Sequence, residues 1–228
     1  MSGWIFFDCF NTLLDEHDGL TDESGMAPIA HIPVAAGLFD TAEQFHAAYL
    51  HWRRSAWPNP LDSVEIPLAR RLHTVLGKRT SNDVAPLVAE MVAAFETGYP
   101  LTLTLTAGVE AMLDAWQNHA RLAVVSNFFI AGGPSALLDR FGLLERFEFV
   151  LDSAALGWKK PDRHIYEAAL GNAGCTPDEA MFVGDNLNND VLAPLALGFD
   201  GIYLNRRGTR VPGGVRAILD WNEFRPPG

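Results

Sequence analysis

Two acidic segments and a lysine carry the chemistry this sequence offers. Asp8 closes the short apolar run WIFFD at 4–8. A carboxylate at the edge of a buried strand is costly to desolvate unless a metal, a lysine or backbone donors answer it. The segment GDNLNND at 184–190 adds Asp185 at the end of another apolar run and Asp190 five positions later. Asp185 is placed to ligate a cation, while Asp190, at the start of a helix, either supports it or accepts helix N–H groups. Together with Asp8 these oxygens form a candidate hard-cation site for which Mg2+ is the expected occupant. Ser126 and Asn127 close the run VVSN and bring a hydroxyl and a carboxamide able to donate to an anionic oxygen. Lys160, in GWKKPDRHIY, precedes a proline suited to a first helical turn and is placed to set its ammonium between Asp8 and a bound anion. Each group also has a plain structural use, as a turn acid, a turn cap or a solvated charge.

These residues need a scaffold that gathers strand ends. Apolar runs at 4–8, 121–127, 148–152, 180–185 and 200–205 alternate with helical spacings at 107–118, 134–140, 162–172 and 190–197. That alternation predicts an α/β fold with a mostly parallel sheet covered on both faces. Ligands of such sheets bind beyond the carboxyl ends of the strands, which is where Asp8, Ser126, Asn127, Asp152 and Asp185 fall. Between the first strand and the rest, the polar stretch at 16–25 leads into some 70 residues of helical spacing, punctuated by Pro58–Asn59–Pro60, Gly77 and Gly98. Thr41 through Gln44 fit a capping box. The division expected is a core from 1–15 and 99–228 and a helical insertion at 16–98. The tail is expected to be irregular around a short helical piece, VRAILDW at 215–221.

Hydrophobic residues make up 48% of the 228 and charged ones 20%, which excludes disordered and fibrous classes. With 17 Lys and Arg against 28 Asp and Glu, the formal charge is −11. That field repels phosphate backbones and anionic lipid, so neither nucleic acid nor a membrane is an expected partner. A small anionic substrate stays compatible, because local donors, a lysine and a divalent metal outweigh the global field. Cys9 and Cys175 stand far apart with no CxxC, which argues against a disulfide scaffold or a structural zinc. The start MSGWIFFDCF lacks a basic region ahead of a long apolar run. A cytoplasmic protein is expected, and its oligomeric state is left undetermined.

At this point the motifs converge. FFDCFNTLLD, VVSN, KKPDRHIY and FVGDNLNND resemble, in order, the four motifs of the haloacid dehalogenase superfamily of hydrolases, over nearly the full length of the chain. The resemblance implies a Rossmann-like core with a helical cap inserted after the first motif. It implies that Asp8 is the nucleophile, that Thr12 and Ser126 bind the transferred group, and that Lys160 screens it. It also implies that Asp185 and Asp190 are the acidic pair of magnesium-dependent members, with the Phe10 carbonyl as a further metal ligand. Phe10 departs from the pattern: it stands where most family phosphatases have a second aspartate, which protonates the leaving group and later activates water. Asn11 stands where the family usually has glycine, and asparagine is the non-glycine residue most tolerant of positive φ.

The expected function is therefore a Mg2+-dependent phosphatase of small phosphorylated metabolites that forms an aspartyl-phosphate and lacks the usual general acid. One alternative is a metal-independent 2-haloacid dehalogenase using the same nucleophile, which the aromatic Phe10 also resembles; there, however, Asp185 would be an uncompensated charge beside an anionic substrate. Another is a protein that binds a phosphorylated ligand without turning it over. A phosphonate hydrolase would need a cap lysine, and the insertion offers Lys78 at what reads as a solvated helix end. Arg53 and Arg54, beside Trp52 and Trp57, are the possible cap contacts for substrate.

Overall fold

Trp4–Phe7 forms the first strand because four consecutive apolar residues suit a strand buried on both faces. In the computed structural model, which describes residues 3–17, 25–56 and 63–227, this strand (β1) lies inside a six-stranded parallel sheet. β4 (Arg121–Ser126) flanks it on one side and β6 (Ala180–Gly184) on the other. β5 (Phe149–Asp152), β7 (Asp200–Leu204) and β8 (Arg216–Ile218) extend the order to β5-β4-β1-β6-β7-β8. The register pairs Phe7 with Val124 and with Val183, so the C-terminal ends of three neighbouring strands stop side by side. The parallel α/β sheet expected from the sequence is present.

Alternation along β1 sends side chains to both faces. Trp4 and Phe6 join Val125, Phe182 and Phe199 in one cluster, against Ile165, Tyr166 and Ala169 of α8 (Arg163–Ala173). On the other face Phe7 meets Phe147, Trp221 and Phe224 edge-on, with ring centroids 6.0–6.3 Å apart. Edge-to-face pairs of this kind add about 0.5–1.5 kcal/mol beyond the area they bury. Further core helices are α5 (Val109–Trp116), α6 (Gly133–Arg140), α7 (Ser153–Leu156) and α9 (Ala193–Ala196).

The segment VRAILDW is not helical. Its centre pairs with β7 as β8, and Trp221–Glu223 follows as a 3-10 turn. The free edge of β7 supplied backbone partners that a short helix would have had to forgo. The expected helix at 190–197 begins instead as a π-helix at Leu187–Leu192 and continues as α9. Pro161 also falls outside its helix, because Asp162 is the N-cap of α8.

The chain divides into two compact units. One comprises Met1–Asp15, Ser63–Glu65 and Leu105–Gly228; the other comprises Glu16–Asp62 and Ile66–Thr104. The division falls inside β2 (Leu14–Glu16) and β3 (Leu103–Leu105), which pair as a two-stranded sheet. The expected insertion, 16–98, lies mostly in the second unit, whereas 63–65 belongs to the first. The second unit is helical: α1 (His31–Ala35), α2 (Ala42–Ala56), α3 (Leu68–Leu76) and α4 (Ala85–Gly98). Thr41 Oγ1 accepts the Gln44 N–H and Gln44 Oε1 accepts the Asp40 N–H, close to the expected capping box. Most of the polar stretch 16–25 and the expected break at Pro58–Asn59–Pro60 lie outside the described residues. Among the described residues no helix is long and apolar enough to cross a membrane.

Candidate active site

The site assembles where β1, β4 and β6 end. Asp8 follows β1, and its N–H donates to Val183 O at 2.9 Å, so the ladder to β6 continues one residue past the strand. Leu13 and Leu14 then return their N–H groups to Cys9 O, and Asn11 takes φ 54° in the turn between. The tolerance of asparagine for that conformation is used here. The turn brings Thr12 back to Asp8, with Oγ1 3.4 Å from Asp8 Oδ2. The Asp185 N–H donates to the same Thr12 hydroxyl at 3.2 Å. Trp221 Nε1 donates to Thr12 O at 3.2 Å, so a tail residue pins the loop that follows β1.

Lys160 is the electrostatic centre. Its Nζ lies 2.7 Å from Asp8 Oδ1 and 2.6 Å from Asp190 Oδ1, and 5.0 Å from the centre of the Phe182 ring. The residue is only 3% exposed. Burial opposes its charge, but Asp190 and then Asp8 outweigh that cost and push the ammonium up to about 12. Asn127 holds the lysine from behind: Oδ1 accepts the Lys160 N–H at 2.7 Å and Nδ2 donates to Lys160 O at 2.9 Å.

Asp190 enters through the π-helix and takes the Asn186 N–H on Oδ2 at 2.9 Å. Position 184 has to be glycine for this approach, since a Cβ there would stand 2.4 Å from Asp190 Oδ2. One oxygen from each of Asp8, Asp185 and Asp190 lies within 4.8 Å of the others. Three carboxylates thus face one ammonium, and the ammonium is held by two of them. Asp185 carries the consequence: burial, then Asp8 and Asp190, push its carboxyl up to about 7. Burial also lifts Asp190, with Lys160 holding it back. A divalent cation among these oxygens would relieve the same repulsion, and an all-oxygen donor set is the type such hard cations take. The residues present therefore fit a divalent metal.

Ser126 ends β4 beside this cluster, fully buried, and its hydroxyl has no hydrogen-bond partner among the described residues. A buried hydroxyl left unpaired in the free protein suits an oxygen that arrives with a ligand. Asp152, the other strand-end acid, is occupied structurally: its oxygens take the N–H groups of Ala155 and Gly132. Cys9 is buried and packs, and Arg53 and Arg54 are exposed on α2 of the second unit.

The structure brings together Asp8, Thr12, Lys160, Asp185 and Asp190 at the strand ends. Sequence reasoning did not find the clasp of Asn127 on Lys160 or the tie of Trp221 to Thr12. The position of Asn127 beside the strand end was the available signal for the first; the second had none in a tail of Gly and Pro.

The sequence model of the haloacid dehalogenase-like hydrolases matches residues 4–198. The chain belongs to that family. Its members supply further comparisons. Haloacid dehalogenase-like hydrolase domain-containing protein 3 of Homo sapiens is 37% identical over 123 residues, covering 54% of this chain and 47% of that protein. The chain therefore spans about half the length of the first curated relatives it matches. A glyceraldehyde 3-phosphate phosphatase of Methanothermobacter thermautotrophicus is 27% identical over 208 residues, covering 88% of this chain and 84% of that enzyme. Among solved structures, a 2-haloacid dehalogenase from Pseudomonas syringae superposes with a TM-score of 0.74 at 21% identity, covering 98% of this chain and 96% of that one. This last likeness is one of fold. The chain is a haloacid dehalogenase-like hydrolase with an aspartate cluster able to coordinate a divalent metal.

Proposed function

We propose that this hydrolase is a Mg2+-dependent phosphatase of small phosphorylated metabolites, acting through an aspartyl-phosphate and lacking the usual second aspartate. The observation that carries the reading is the excess of carboxylate over ammonium in the cluster, with Asp185 lifted to about 7. A metal-free site that receives an anion gains nothing from a third acid, whereas a phosphatase site needs it to hold the cation. The likeness over most of its length to a glyceraldehyde 3-phosphate phosphatase supports the same class.

Asp8 serves as the nucleophile and attacks phosphorus in line with the leaving oxygen. Lys160, oriented by Asp190 and Asn127, neutralises charge on the transferred group, and the hydroxyls of Thr12 and Ser126 hold its oxygens. The second hydrogen of Asn127 Nδ2 is a further donor for substrate. Asp8, Asp185, Asp190 and the Phe10 carbonyl are the proposed metal ligands; bound there, Mg2+ supplies positive charge against the phosphoryl oxygens. Phe10 has no proton to give, so the general-acid contribution, typically about 10²–10⁴-fold, is missing from this position. Weak turnover of alkyl phosphates and better turnover of esters with acidic leaving groups follow. Neither Cys9 nor Cys175 is in a disulfide, which supports a reducing, cytoplasmic setting.

The aromatic ring at Phe10 favours a second reading, in which Asp8 attacks the halogen-bearing carbon of a 2-haloacid without metal. One paired assay decides: p-nitrophenyl phosphate and 2-chloropropionate, each with Mg2+ and with EDTA. Metal-dependent nitrophenol release abolished by Asp8→Asn is the expected result. Chloride release that persists in EDTA would replace the phosphatase with the dehalogenase. Saturable binding of phosphorylated ligands with no turnover of either substrate would leave a binding protein.

A further inference from the structure

Glu65 is a buried carboxyl group, 7% exposed, that the proposed chemistry has not used. A carboxyl group in such a place costs free energy unless hydrogen bonds answer it. It arrives on Ser63–Glu65, the short stretch within the expected insertion that belongs to the same compact unit as Asp8 and Lys160. This stretch lies antiparallel to the chain that leads to Lys160. Val64 bridges Trp158, the Lys159 N–H donates to Ser63 O at 2.8 Å, and the Glu65 N–H donates to Gly157 O at 3.0 Å.

The side chain of Glu65 reaches the neighbouring loop. Ser153 Oγ donates to Glu65 Oε2 at 2.8 Å, and Phe128 O is the more distant acceptor at 3.1 Å. With its hydrogen directed at Glu65, the hydroxyl keeps a lone pair for the Phe128 N–H, which donates to it at 2.9 Å. Phe128 directly follows Asn127, and Asn127 clasps both backbone polar groups of Lys160. The contacts therefore close a ring. It runs from the Glu65 carboxyl through Ser153 and Phe128 to Asn127, across the clasp to Lys160, and back along 157–160 to the Glu65 N–H. Ser153, Phe128 and Lys160 are all buried, and a connected network of buried hydrogen bonds rigidifies the groups that it joins.

We propose that Glu65 is a positioning residue for Lys160. Its carboxyl fixes the loop after β4 and its N–H fixes the approach to Lys160, so that Asn127 and Lys160 meet at clasp distance and the ammonium stands against Asp8. The action runs through Ser153, Phe128 and Asn127. A small displacement of a group that must meet the transferred charge lowers turnover steeply. The kinetic consequence rests on the phosphatase reading, whereas the positioning is read from the backbone.

The test joins amide hydrogen exchange to kinetics. In Glu65→Ala the Lys160 amide, held by Asn127, should exchange about threefold to tenfold faster, the worth of one hydrogen bond, while the Phe6 amide in β1 keeps its wild-type rate. The kcat for p-nitrophenyl phosphate with Mg2+ should fall by a similar factor, with KM changed by less than about twofold. Glu65→Gln keeps an acceptor oxygen for Ser153 and should restore most of both. On an Asn127→Ala background the clasp is already lost, so adding Glu65→Ala should lower kcat by less than a further factor of about two. An unchanged Lys160 amide in Glu65→Ala overturns the proposal. Equal acceleration at Phe6 and Lys160, or the same kcat loss on both backgrounds, overturns it too, since a residue that merely stabilises the fold behaves in that way. If Glu65→Ala does not fold, Ser153→Ala cuts the same path and carries the same expectations. A wild type without Mg2+-dependent nitrophenol release overturns the phosphatase reading, and the exchange rates then decide on Glu65 by themselves.

Discussion

Asn127 grips both backbone polar groups of Lys160, accepting its N–H at 2.7 Å and donating to its carbonyl at 2.9 Å. The ammonium of that lysine is in turn held between Asp8 and Asp190. Asn127 is therefore a positioning residue for Lys160. Asn127→Ala leaves two polar groups to find new partners, at about 1–3 kcal/mol for each that fails. The variant should unfold at lower urea concentration and lose kcat more than it gains in KM. Asn127→Asp keeps the acceptor and should recover part of the stability. A variant with wild-type stability and kcat would show that the clasp does not place the lysine.

Ser126 presents the opposite case. Its hydroxyl is buried and unpaired among the described residues, so the folded protein loses no hydrogen bond in Ser126→Ala. Thermal stability should stay within about 1 kcal/mol of wild type or rise slightly. A hydrogen bond to a charged oxygen is worth about 1.5–3 kcal/mol, so inhibition by inorganic phosphate should weaken by roughly 10-fold to 100-fold. Unchanged phosphate inhibition would remove Ser126 from the binding role.

Lys160→Met removes the cation that bridges Asp8 and Asp190 and leaves both acids facing each other in a buried site. Breaking a buried pair in this way costs about 3–5 kcal/mol. Urea denaturation at neutral pH should register that loss together with the loss of activity. A change below about 1 kcal/mol would mean that solvent reaches the acids more freely than their burial implies.

Asp185 makes stability depend on pH. Its carboxyl is lifted from 3.8 to about 7, first by burial and then by Asp8 and Asp190. Between those values the folded state keeps a proton that the unfolded chain has lost, so stability falls as pH rises across the interval. The contribution is complete below about pH 4 and lost above about pH 7. In EDTA, Asp185→Asn should therefore gain on the wild type between pH 5 and pH 8, by at most about 4 kcal/mol. Adding Mg2+ at pH 8 should stabilise the wild type and much less the variant. A melting difference independent of pH, with equal Mg2+ affinity in both proteins, would contradict this account of Asp185.

Much of this was present in the amino-acid order. Strand ends marked by acids, alternating apolar runs and four motif segments determined the parallel sheet and the identities of Asp8, Lys160, Asp185 and Asp190, because side-chain type and periodicity are local properties that a sequence records directly. Tertiary structure decided which of those groups touch. Lys160 is 152 residues from Asp8 and 30 from Asp190, and only the meeting of strand ends made one ammonium serve both while leaving Asp185 lifted. The same holds for VRAILDW, whose composition allowed a helix but whose backbone met the open edge of β7 and became a strand. It holds also for the stack of Phe10 on Phe128, since aromatic residues in separate motifs carry no record of each other until parallel register brings their strands together. Partner choice depends on distances across the chain, and those exist only once the sheet has formed.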